Sequence, residues 1–562
     1  MKRLISALLA IFTIATLICV PVVATEPDPK FWVDDVDVET YKLVGDGTQA
    51  SPYLVSSATD LAYIAKAVWG GGTNDTRNSF DQKYFLQTTD IDLGGKIWLP
   101  IGGISIEKTA TDSTVVTAPF NGNYDGNFHT VSNMTITDDT FQHHIAEGTK
   151  ITTKNAAGTI NYACAGLFGR IGHNSTTSSE VQTIKNLAVT GTINVTLAIT
   201  GAAGIVSYVA TPVNLNNLYS NVAISLGNQT TPIASATVGG IFGNYSCNNS
   251  NMNIPIKNCV AVGNITVYTN SATFQVGGLA GKIIGANVIK KFENCYYTGN
   301  VSVNYTTATV ANSMRAAGIV GQTGDGNKSV FFLNTHMWGT VTVTGNAPYD
   351  NTVARSGLIL GHNNQNTSGQ LTGSSYLKPA GDPATDTTVL KVAGYDTYNV
   401  FNDPDEITPV ATAGTVPFVG TTKFLVAPDS VVLRFAQERV NGDTMDVRFL
   451  GTGVEGTVSG FKVTATWVEP VADGDPITHN GKENVDLEVT ILPTINADGV
   501  ENITAQDLGG KDGDKILGCW ITGVPTTGTV TFVITPYVDA TNGKTLTVVY
   551  TDGAFTSATY AD

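Results

Sequence analysis

A four-residue phrase recurs through the middle of this 562-residue chain and limits what the chain can fold into. Gly166-Leu167-Phe168-Gly169 returns at Gly204, Gly240, Gly278, Gly318 and Gly357, at steps of 38, 36, 38, 40 and 39 residues. Self-similarity at such a period belongs to solenoids and propellers. A second phrase begins at Asn186, Asn217, Asn258, Asn294 and Asn334, and four of its copies (all but that at Asn217) align without gaps, keeping Gly191, Gly263, Gly299 and Gly339 five residues on. Apolar or small residues alternate in it: Leu187, Val189, Ile193 and Val195 in one copy, Cys295, Tyr297, Val301 and Val303 in another. Period two means strands.

Strands joined by corners at Asn or Gly, which tolerate left-handed backbone, suit a coil of parallel strands. Propeller blades would need antiparallel hairpins, and the expected two-residue Asn-Gly or Asp-Gly turns are scarce between these strands. The expectation is therefore an all-β chain built on a right-handed parallel β-helix of the pectate-lyase-like kind, with each coil stacked about 4.8 Å from the next.

The Gly-Leu phrase, together with the stretch from Phe120 to His129 and the run Asp90-Ile91-Asp92-Leu93, resembles the GLUG-repeat β-helix region of bacterial surface and secreted, adhesin-like proteins. The likeness spans roughly 41–376 and departs at Ser207, where the second glycine is lost, and at the last copy. It implies a fold more than an activity.

At the start, Lys2 and Arg3 precede an apolar run from Leu4 to Val20, and Val22-Val23-Ala24 offers small residues for cleavage. Residues 1–24 read as a secretory signal peptide, with the mature chain beginning near Thr25. Ile18 before Cys19 does not fit a lipoprotein. No later run approaches the roughly 18 apolar residues of a membrane span, and no wall-sorting tail follows, so an exported, extracellular or cell-surface protein is expected. Ser57-Ala58-Thr59-Asp60 is a capping-box pattern, and Leu61, Ile64, Ala65 and Val68 follow at helical spacing until Gly70-Gly71-Gly72. This helix is expected to cap the first coil and cover its open strand edges.

The β-helix with its cap is assigned to 25–377. Prolines and glycines mark 378–419 as a linker. Short alternating runs from 420 to 562 suggest an antiparallel, Ig-like β-sandwich. Leu433-Arg434-Phe435, Gly460-Phe461 and Thr535-Pro536-Tyr537 with Asn542-Gly543-Lys544 make that region similar to a C-terminal module of clostridial secreted proteins.

The net charge is −16, and 22 acidic against 9 basic residues from Phe401 onward carry most of it. That balance argues against a nucleic-acid partner. Past the signal, the sparse cysteines Cys164, Cys247, Cys259, Cys295 and Cys519 give no disulfide framework. Cys259 and Cys295 share one repeat position, where a pair of core thiols is preferred over a disulfide.

Chemistry is thin. Between Asn161 and Gln370 the acids are Glu180, Glu293, Asp325 and Asp350, spread over different coils, and no His-Glu-x-x-His occurs. His143-His144 reads as a solvated loop, and His173 and His362 as surface corners. No cofactor is expected. Asp473-Gly474-Asp475 and Asp512-Gly513-Asp514 could contribute to calcium sites, yet neither completes a binding loop. Two positions after the repeat Asn stand Tyr219, Tyr296 and His336, with Trp338 two further on; Ala188 and Val260 interrupt the row. Exposed rings at fixed spacing can stack on sugar faces. Tyr219, Tyr296, His336 and Trp338 are accordingly the candidate ligand-binding residues, for a polysaccharide, glycan or cell-surface partner. An adhesin-like binding or structural protein is favoured; the alternative is a polysaccharide lyase or glycoside hydrolase on the same face.

Overall fold

The computed structural model describes residues 31–49, 51–70, 77–108, 113–141, 144–146, 149–150, 163–172, 181–246, 253–271, 274–284, 289–293, 295–306, 314–326, 330–333, 335–345, 355–365, 374–381, 386–387, 389–396, 407–410, 423–424, 432–441, 444–452, 460–469, 477–482, 488–492, 516–538, 541–542 and 545–560. The expected signal peptide, Cys247, His143, His173 and both Asp-Gly-Asp turns lie outside them. The described chain is nearly all β, with one α-helix.

Three parallel sheets make up the larger part, a large one of 17 strands, one of seven and one of five. The chain visits them in turn. Thr237–Gly239 lies in the five-stranded sheet, Phe242–Ser246 in the seven-stranded sheet, and Asn253–Lys257, Val260–Ala261 and Ile265–Thr269 in the large sheet, after which Gln275–Gly277 starts the cycle again. The Gly-Leu phrase is the bend between the two smaller sheets, and the Asn phrase is the long run in the large one. Each coil pairs in register with the next: Ile193 with Ile224, Ile265 with Val301, Val301 with Val341. The result is a β-helix-like solenoid.

The alternation seen in the sequence sorts side chains as expected. Leu187, Val189, Ile193, Cys259, Ala261, Tyr297, Val301 and Met337 are buried in one continuous core, where Phe242, Phe292 and Phe332 also stack at ring distances of 6.3 and 5.4 Å. Burying each large apolar side chain contributes on the order of 1.5–3 kcal/mol. Cys259 and Cys295 are free thiols within it. Their Sγ atoms point to the carbonyls of Lys257 and Glu293, at 3.1 and 3.3 Å, and burial pushes the Cys259 thiol up.

Asn186, Asn217 and Asn258 each have φ of 53°, the left-handed corner that the repeat demanded. Their side-chain amides link neighbouring coils along the turn. Asn217 Nδ2 donates to Asn186 Oδ1 at 3.0 Å, Asn186 Nδ2 to Asp125 Oδ1 at 3.1 Å, and Asn258 Nδ2 to Asn216 Oδ1 at 3.1 Å.

The helix spans Ala58–Trp69, with Ser57 Oγ accepting the Asp60 N–H at 3.1 Å and Gly70 closing it in the left-handed conformation. Its Leu61, Ile64, Ala65 and Val68 enter the same core, and Trp69 Nε1 donates to Pro100 O at 2.9 Å. The helix joins the first strand, Tyr53–Val55, to the second, Tyr84–Gln87, and these two pair with each other before the ladder continues.

The ladder does not stop where the sequence suggested. Ala393–Asp396 pairs with Leu360–Gln365, and Ile407–Val410 pairs with Ser374–Leu377, both parallel. The boundary at 377 is corrected accordingly, since strands of the solenoid extend into the 378–419 stretch read as a linker. From Lys423 the pairing becomes antiparallel, in a five-stranded and a six-stranded sheet. Phe449 of one meets Phe532 of the other edge to face at 5.6 Å.

Candidate aromatic site on the large sheet

The outward position two residues after the repeat Asn forms one column of the large sheet. Ala188 pairs with Tyr219, Tyr219 with Val260, Val260 with Tyr296, Tyr296 with His336, and His336 with Ser375. The column thus carries three of the four predicted site residues, and Trp338 leans back into it from two positions on. Parallel pairing holds side chains at about 4.8 Å intervals, close to ring-stacking distance.

Three rings come together. Tyr296 stacks on His336 with centroids 4.9 Å apart, and Trp338 tilts against both, 5.4 Å from Tyr296 and 5.0 Å from His336. All three are half-buried. Such ring pairs contribute about 0.5–1.5 kcal/mol each. Tyr219 stays apart, because Val260, 9% exposed, stands between it and Tyr296.

Ser375 fixes the cluster, and the sequence reading missed it. Trp338 Nε1 donates to Ser375 Oγ at 2.9 Å, and the same hydroxyl is hydrogen-bonded to His336 Nδ1 at 2.7 Å. Burial holds His336 down to about 4 and pushes Tyr296 up to about 12, so both rings are uncharged at neutral pH. Ser375 lies one 39-residue step beyond His336. Extending the column by the repeat length would have found it, although its copy of the phrase has lost the Asn.

The Ser375–His336 distance would suit a nucleophile and its base. But Ser375 is 7% exposed and its oxygen is held by the indole, an arrangement that fixes two rings rather than presenting an oxygen for attack. Glu293, one of the few acids of the repeat region, is tied to Lys257 at 2.7 Å. Among the described residues no three His, Cys, Asp or Glu side chains gather where they could hold a metal ion. The site offers neutral ring faces.

No protein-family model matches the chain. Halomucin of Haloquadratum walsbyi is 25% identical over 186 residues, 31% of this chain, and the matched stretch is 2% of halomucin's own length. A search of solved structures returned the enzymatically active domain of bacteriophage CBA120 tailspike protein 4, at 10% identity and a TM-score of 0.11, over 84% of this chain and 65% of that one. Among the described residues no helix is long and apolar enough to cross a membrane.

Proposed function

We propose that this protein is an extracellular or cell-surface binding protein, adhesin-like, that recognises carbohydrate through the large-sheet face of a right-handed parallel β-helix. The GLUG-repeat resemblance and the export signal support the location. The two antiparallel sheets after Lys423, joined by the Phe449–Phe532 contact, support an Ig-like sandwich beside the helix. The observation that carries the reading is the Tyr296–His336–Trp338 cluster, three rings in mutual contact, two of them hydrogen-bonded to Ser375. A rigid aromatic platform loses little side-chain entropy on binding, which is what stacking on a sugar ring needs.

The test is retention on a panel of neutral and acidic polysaccharides. The parent protein is expected to be retained on at least one neutral glycan, and the variant carrying Tyr296→Ala and Trp338→Ala to lose that retention while keeping its thermal midpoint within a few degrees. Unchanged retention by the variant would remove the aromatic site.

A further inference from the structure

The large sheet ends unevenly. Past His336–Met337 it gains Ser374–Leu377 and then Ile407–Val410. Past Thr340–Thr344, which follows His336–Met337 in the same coil and pairs with Asn300–Tyr305, it gains no strand among the described residues. The sequence accounts for the gap. In the 39-residue register that sets Ser375 opposite His336, Pro379 and Pro383 would fall opposite Thr340 and Thr344. Neither has an N–H to give to a ladder, and between them Gly381 takes a φ of 112°.

The apolar side of this edge is uncovered too. Ile265, Val267, Val301 and Val303 are fully buried, whereas Val341 and Val343, next in the same two columns, are half-buried. Thr340 and Val341 line a cavity of about 410 Å³ together with Leu358, Leu377, Val389 and Leu390. The outward side chains are tied back to the preceding coil: Thr340 Oγ1 donates to Asn300 Oδ1 at 2.6 Å and Thr344 Oγ1 to Asn304 Oδ1 at 2.7 Å. Backbone and valines are left to make the next contact.

An unpaired edge is a template for another strand, and natural edges are commonly blunted by lysines, prolines or bulges. Thr340-Val341-Thr342-Val343-Thr344 has none of these. Its β-branched residues suit a pleated, half-buried surface. The edge is about 17 Å long, far short of the roughly 1,000 Å² of buried surface that a stable dimer needs. A second copy is therefore a poor occupant and a single added strand a good one. With no charge on the strand, backbone bonds and shape select what binds.

We propose that Thr340–Thr344 is a docking edge for an extended segment of a partner protein, about five residues long, uncharged and apolar at alternate positions. The segment adds as one more strand of the large sheet, its backbone bonded to the free edge and its inward side chains set over Val341, Val343 and the cavity. It continues the contact that Asn300–Tyr305 makes with the opposite edge. Docking there requires no glycan at the aromatic cluster.

The probe is a fluorescein-labelled peptide with the sequence of Asn300–Tyr305, which the fold already pairs in register with Thr340–Thr344. Anisotropy with the full chain is expected to show saturable binding. In an added strand only alternate residues turn their N–H groups to the edge. N-methylation of one alternate set should weaken binding at least about tenfold, the scale of one or two backbone hydrogen bonds, and N-methylation of the other set should not. Val341→Lys, which puts a charge on the inner side of the edge, should abolish binding; its thermal midpoint tells loss of the site from loss of the fold, and if it unfolds the methylated peptides decide alone. Hydrogen exchange at 340–344 should be fast at alternate amides of the free chain and slow with peptide bound. The proposal is overturned by no binding of the unmodified peptide, by equal binding of the two methylated peptides, or by unchanged binding to folded Val341→Lys. It is overturned as well by edge amides already protected without peptide, whether by another part of the chain or, if protection grows with protein concentration, by a second copy.

Discussion

A Cβ on Gly299 would stand 2.5 Å from the carbonyl oxygen of Gly263 and 2.7 Å from that of Val262. The repeat glycine is thus required by the approach of one coil to the next. Strained dihedrals, which the sequence reading expected at this corner, account only for Gly191 at φ 149°. Asn186 and Asn258, five residues before Gly191 and Gly263, take the left-handed turn. Thr298 beside Gly299 is half-buried on the outer side. Gly299→Val should therefore cost several kcal/mol, at the top of the range for single substitutions, while Thr298→Val should stay within about 0.5 kcal/mol. Urea midpoints for the two variants decide this, and equal midpoints would mean the stacking contact is not the cause.

At the scale of a column, the histidines couple stability to pH. Burial lowers both His336 and His362 to about 4, with Arg315 and Arg355 adding to the effect at His362. An unfolded histidine titrates near 6.5. As pH falls from about 6.5 to 4, the unfolded chain takes up protons that the folded chain refuses, so stability drops through that window and levels off below it. Asp37, Asp46 and Asp92, held below the usual carboxylate range by hydrogen bonds, act only at lower pH. The thermal midpoint should accordingly decline between pH 6.5 and 4.5, and the slope should flatten when His336→Asn and His362→Asn are combined. A slope unchanged in the double variant would show that the rings are not the groups titrating. His362 was read from sequence as a surface corner; it is buried against Arg315, a contact between coils that no local pattern announces. The large-sheet column was legible because its rings recur at one repeat position. Ser375 was not, because its copy had lost the Asn that marked the position.

For the whole molecule, periodicity exposed the solenoid but not its end. Alternation and a constant step identify coils wherever apolar residues repeat, and the core residues from Leu187 to Met337 were predicted on that basis. Ala393–Asp396 and Ile407–Val410 still pair with the preceding coil and Ala393 joins the core, yet Pro409 stands opposite Tyr376 and composition there looks like a linker. What backbone stacking provides and what side chains must provide also differ for activity. A solenoid face needs only outward rings or cations to hold a glycan, whereas cleaving a glycosidic bond requires a proton donor and a second carboxylate about 5–9.5 Å apart. On the large sheet Glu293 faces Lys257, and Asp125 is paired with Lys185 at 3.4 Å. Each of these carboxylates is engaged by a lysine of the same sheet. The expected outcome is retention of polysaccharide without turnover. Prolonged incubation with each retained polymer, followed by assay for reducing ends and for unsaturated ends, should give values equal to buffer alone. Release of either kind of end by the parent protein, abolished by Glu293→Gln, would instead make the large-sheet face a catalytic one.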